Sequence, residues 1–143
     1  MRLALEEAKA ALAEGEVPVG AVLVSNGEII ACAHNRRENE NDPTAHAEIL
    51  ALREGARKLG SWRLTGAALY VTKEPCPMCA GAMVNARLGG LIYGCPDIKG
   101  GAAGSLIDIT GHERLNHRVN VEAGVLAEEC AGLLRDFFGG KRT

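Results

Sequence analysis

The sequence predicts an α/β protein: a three-layer α/β/α fold on a five-stranded mixed sheet. Three observations predict it. Helix-periodic stretches alternate with short β-branched apolar runs in the order α-β-β-α-β-α-β-(α)-β-α, the pattern of a sheet covered on both faces. The chain has 143 residues, 47% of them hydrophobic, which suits one domain over residues 1–143 with a packed core. No internal repeat, low-complexity tract or linker interrupts it.

Leu5, Ala8 and Leu12 recur at helical spacing, so residues 2–14 read as an amphipathic helix stopped by Gly15. Residues 19–24 and 28–33 read as two strands, and Ser25-Asn26-Gly27 between them is a hairpin turn. After a polar loop, Thr44 is an N-cap candidate for a helix over residues 45–59, whose stripe is Ile49, Leu52, Ala56 and Leu59. Residues 67–72 form a third strand, 79–87 a helix entered through prolines, and 91–94 a fourth strand. Residues 99–105, rich in Gly and Ala, make a loop. A short helix over 106–109, a fifth strand over 118–121 and a last helix over 126–138 follow, with a frayed basic end at 139–143.

A net charge of −2 gives no global basic field, so any attraction to nucleic acid comes from a local patch. Five cysteines with a single CxxC pair do not form a disulfide framework and point to a reducing cytoplasm. Cys32, Cys95 and Cys130 read as buried small hydrophobes, and His34, His112 and His117 as surface or hydrogen-bonded histidines. No secretory signal or membrane span is read, so no membrane partner is expected.

The chemistry concentrates in His46-Ala47-Glu48 and Pro75-Cys76-Pro77-Met78-Cys79. Cys76 and Cys79 are three apart, which puts both sulfurs on one helical face, and a helix N-terminus favours their thiolates. With His46 they offer three protein ligands for a Zn2+ ion, leaving the fourth position open, as catalytic rather than structural sites do. Glu48 is left over as a proton carrier. His46 and Glu48 are two apart, so one site can use both only at the N-terminal end of their helix. A CxxC alone also serves redox or structural zinc sites, and an HxE alone is an ordinary helix start. The ordered combination, His-x-Glu and then Pro-Cys-x-x-Cys, marks zinc deaminases.

On these motifs the chain resembles the bacterial tRNA-specific adenosine deaminases of the cytidine-deaminase-like superfamily. The resemblance extends to residues 16–22, 42–49, 79–83, 101–106 and 115–119 and to Phe137-Phe138. It implies conversion of adenosine to inosine at the wobble position of a tRNA anticodon, one Zn2+ per subunit and a homodimer. It also implies substrate contacts. Asn35 would meet the base, with Ala47 beside it, and Asp97 a ribose hydroxyl, the group that separates RNA from DNA. Lys99 lies in the same RNA-facing loop, and Phe138 and Arg142 would form an aromatic and basic C-terminal contact. Lys73 departs from the family, which usually carries an apolar residue there. One rival reading is a deaminase of free guanine, cytosine or deoxycytidylate, with a closed pocket. Another is a zinc-stabilised RNA-binding module, which would have no use for Glu48.

Overall fold

The structure, a computed structural model, describes residues 1–141. Its elements are α1 (Arg2–Ala13), β1 (Gly20–Ser25), β2 (Glu28–His34), α2 (Ala47–Leu59), β3 (Ala67–Lys73), α3 (Pro77–Asn85), β4 (Gly90–Cys95), β5 (Asn120–Glu122) and α4 (Ala127–Lys141). The five strands form one sheet in the order β2-β1-β3-β4-β5. β1 runs antiparallel to both neighbours, while β3, β4 and β5 are parallel. α1 and α4 touch each other and cover β1 and β4, whereas α2 and α3 pack together over the other face. The mixed three-layer architecture is therefore the expected one.

Local chemistry explains the elements. Asn26 and Gly27 both take positive φ, at 52° and 76°, as a two-residue type I′ hairpin turn needs. Leu23, Leu69, Val71 and Leu91 on the central strands meet Leu64, Met83 and Leu88 in the main core. Such burial contributes roughly 1.5–3 kcal/mol per large aliphatic side chain. Gly20 lies where a side chain would strike the backbone of α1, so α1 can sit directly on β1.

The topology decides where a site can form. β2 is antiparallel to β1, and β1 to β3, so β2, β3, β4 and β5 all end at the same edge of the sheet. β1 starts at that edge. The connections after four strands and before the fifth thus converge in one place, the usual location of a site in open α/β sheets.

Several expectations need correction. Thr44 does not cap α2. Its N–H and hydroxyl both donate to Asp42 Oδ1 at 2.8 Å, and the helix starts two residues later with His46 as N-cap. α3 starts at Pro77 rather than residue 79, because proline suits the first helical position. Residues 106–109 are not helical. Asp108 bridges to Ala103, and its Oδ1 accepts bonds from Thr110 and Gly111, a local arrangement that competes with helix. α4 continues through Gly139 and Gly140 to Lys141, where the sequence predicts a frayed end; the remainder of that expected segment, 142–143, lies outside the described residues. Cys32 is exposed on edge strand β2, whereas Cys95 and Cys130 are buried as expected. Among the described residues no helix is long and apolar enough to cross a membrane.

Candidate active site

Two helix N-termini meet at the converging strand ends. His46 is the N-cap of α2 (φ −74°, ψ 150°) and Cys76 the N-cap of α3 (φ −73°, ψ 173°), both with extended backbone. The His46 side chain makes no capping bond to its own helix, the usual task of a cap, so it is free to face Cys76 and Cys79. Cys79 follows one turn into α3 and is fully buried. His46 Nδ1 lies 3.7 Å from Cys76 Sγ and 3.5 Å from Cys79 Sγ, and the three donor atoms all lie within 4.8 Å of one another.

This donor set fits a metal ion. Bonds of about 2.0–2.1 Å to nitrogen and 2.3 Å to sulfur at tetrahedral angles put nitrogen and sulfur roughly 3.6 Å apart, close to the two separations between His46 and the cysteines. The electrostatics agree. Hydrogen bonding from Cys79 and then from His46 lowers the Cys76 thiol to about 3, against the cost of its burial. The Cys76 sulfur in turn raises His46, and it also raises Cys79, which burial pushes further up. Cys76, half-buried like His46, is thus held as a thiolate.

Glu48 is the second residue of α2 and only 4% exposed. Its position resolves the spacing problem: His46 stands outside the helix as its cap, so both side chains can face one site. Burial raises the Glu48 carboxyl from 4.5 to about 7, partly opposed by its own backbone N–H and by His46. A carboxyl balanced near neutrality can both take and return a proton.

A cleft of ≈ 230 Å³ opens on these groups. Asn35, Ala47, Asp97 and Phe138 line it together with His46, Glu48 and Cys76. Lys99 is exposed in the neighbouring loop and is not in the lining; its backbone N–H donates to Asp97 Oδ1 at 3.1 Å. Arg142 lies outside the described residues. Asn35 is held at both ends, donating to the Val17 carbonyl at 3.3 Å and accepting from the Arg37 N–H at 3.1 Å.

Sequence reasoning missed Arg37, Lys73 and Glu74, which also line the cleft. Glu74 is 2% exposed and works as a clamp. Its two oxygens accept the N–H groups of Asp97, Ala103 and Ser105, each at 3.0 Å, and the Ser105 hydroxyl. Burial alone would raise its carboxyl, but these bonds hold it below its ordinary value. Glu16 likewise accepts two backbone N–H groups, those of Glu38 at 3.1 Å and Asn39 at 2.8 Å, and so ties the segment before Val17 to the loop after Asn35. The available signal was an acid abutting an apolar segment: Glu74 directly follows strand residues, and Glu16 precedes Val17-Pro18-Val19.

A family model described as MafB19-like deaminase matches residues 1–142, which sets the class as deaminase enzymes. The tRNA-specific adenosine deaminase of Bacillus subtilis is 56% identical over 96% of this chain and 86% of its own. That of Haemophilus influenzae is 49% identical over 99% of this chain and 83% of its own. A structure solved in a study of A-to-I editing by tRNA:A34 deaminases superposes with a TM-score of 0.90 at 47% identity, over 94% of this chain and 97% of that one. The guanine deaminase from Nitrosomonas europaea shares the fold at a TM-score of 0.82 and 26% identity, over 95% and 81%. The chain belongs to the MafB19-like deaminases and, within them, to the tRNA-specific adenosine deaminases.

Proposed function

We propose that this chain, as one deaminase domain, hydrolyses adenosine to inosine at the wobble position of a tRNA anticodon. In this reading His46, Cys76 and Cys79 hold one Zn2+ per subunit. One observation carries it: His46, Cys76, Glu48, Asn35, Ala47, Asp97 and Phe138 line a single cleft, with the Cys79 sulfur within 4.8 Å of the other two donor atoms. When bound, zinc supplies a Lewis acid that brings the pKa of a water down toward roughly 7. Glu48 would take one proton from the attacking water and deliver it to the purine ring nitrogen, then take the second from the newly formed hydroxyl and deliver it to the amine, which leaves as ammonia as the C–N bond breaks. Its burial keeps that exchange out of bulk solvent.

The other residues hold the nucleotide. The two bonds of Asn35 use one amide hydrogen and one carbonyl lone pair, leaving one of each for a base edge. Ala47, small and fully buried, leaves room for a planar ring between its neighbours. Phe138, half-exposed at the mouth, offers a face for an unpaired base, worth roughly 1–3 kcal/mol. Asp97 presents a carboxylate to a ribose hydroxyl. A wobble base already sits in a single-stranded loop, so extruding it costs little.

A homodimer in the cytoplasm completes the reading. An apolar groove between α2 and α3, lined by Ile49, Leu52, Ala56, Trp62 and Ala82, supports a second copy there. Five unpaired cysteines suit a reducing compartment.

The test is incubation with an adenosine-wobble anticodon stem-loop, free guanine and free cytidine in parallel, with inosine and ammonia measured. Inosine in the stem-loop is expected; ammonia from a free base alone overturns the reading. The Cys79→Ala protein should contain little zinc by elemental analysis, and a full complement would reject the ligand set.

A further inference from the structure

Lys73 is the last residue of β3, in register with Cys95 at the end of β4. Its side chain therefore reaches the connection that follows β4, and its Nζ lies 3.2 Å from Asp97 Oδ2. Both side chains are largely covered, at 33% and 25% exposure, and both line the cleft. The rest of Asp97 is held by the loop backbone and by Glu74. Its Oδ1 accepts the N–H groups of Lys99 at 3.1 Å and Gly100 at 3.2 Å, and its own N–H donates to Glu74. Of the two carboxylate oxygens, Oδ1 is held by the loop's own backbone, and Oδ2 is met by Lys73 from outside the loop.

Charge gives this contact a second consequence. The lining holds three acids, Glu48, Glu74 and Asp97, against the fixed cations of Arg37 and Lys73. Glu48 and Glu74 are deep, so Asp97 is the acid that an incoming phosphate backbone meets. A lone carboxylate there would repel RNA; a paired one does not. We propose that Lys73 is a positioning residue for Asp97, fixing the carboxylate toward the cleft and cancelling its charge toward the RNA strand. The proposal rests on the tRNA reading above.

The test compares wild type, Lys73→Met, Lys73→Arg, Asp97→Asn and the Lys73→Met/Asp97→Asn double variant on the anticodon stem-loop. Lys73→Met should raise KM about fivefold, equivalent to roughly 1 kcal/mol, with kcat within about twofold and the melting temperature unchanged. Lys73→Arg should restore KM. In the Asp97→Asn background, Lys73→Met should add almost nothing. An unchanged KM in Lys73→Met overturns the proposal. So does an equal KM rise in the Asp97→Asn background, which would mean that Lys73 meets RNA directly, or a joint fall in kcat and melting temperature. If wild type leaves the stem-loop untouched, the functional reading falls first and takes this proposal with it.

Discussion

Two carboxylates line the same cleft, both almost entirely buried, and their surroundings drive them in opposite directions. Glu48, at the start of α2, is raised to about 7 by burial. Glu74, at the end of β3, is lowered because four hydrogen bonds outweigh its burial. Depth alone therefore says little about an acid's role. A buried carboxylate whose lone pairs are filled by backbone N–H groups is a fastener, whereas one left mainly to its burial is ready to exchange a proton. The protein places one of each within a single cleft.

The largest effect that sharpens this contrast is on turnover. Glu48→Gln keeps the shape and removes the titrating group, so kcat should fall by about 10³-fold or more in a stem-loop assay, with metal content unchanged. Turnover within tenfold of wild type would place Glu48 with the fasteners. Glu74→Gln should act on the fold instead. It turns one acceptor oxygen into a donor facing two donors, costing about 2–4 kcal/mol in denaturant unfolding. An unchanged unfolding midpoint would refute the clamp.

The pH dependence of stability should differ in sign. Glu48, raised in the folded state, contributes stability that is present below its unfolded value of 4.5 and is lost as pH rises through about 7. In metal-free protein, Glu48→Gln should therefore gain on the order of 3 kcal/mol over wild type at pH 8, a gain that vanishes toward pH 4.5. Glu74, lowered in the folded state, contributes stability present above 4.5 and lost as pH falls below it. Thermal melts across pH 3–9 would expose either sign as wrong. The smallest expected effect is that of Ser105→Ala, which leaves Glu74 its three backbone donors and should cost about 1 kcal/mol. A loss as large as that of Glu74→Gln would mean that the hydroxyl, not the backbone, holds the loop.

Much of this was legible in the chain. The hairpin followed from Asn26-Gly27, because few residue pairs accept two positive φ angles in succession. The two cysteines followed from spacing, since residues three apart can share a face, and His46 joined them through the ordered His-x-Glu and Pro-Cys-x-x-Cys combination. What escaped depends on contacts between distant segments. Thr44 looked like a cap because its competing partner Asp42 is indistinguishable from any loop acid. Glu74 looked like a spacer before Pro75 because its four donors lie 23 to 31 residues further along the chain. Residues 106–109 looked helical because the bridge from Ala103 to Asp108 leaves no periodic trace.

The shared edge at which four strands end and β1 begins has an evolutionary corollary. The groups proposed to meet the substrate lie at or beyond the strand termini, while the hydrophobic interior lies elsewhere. New substrate preferences can thus be installed by exchanging connections, without renegotiating the foundations. That is how a guanine deaminase and this chain can stand on one scaffold while three quarters of their aligned residues differ.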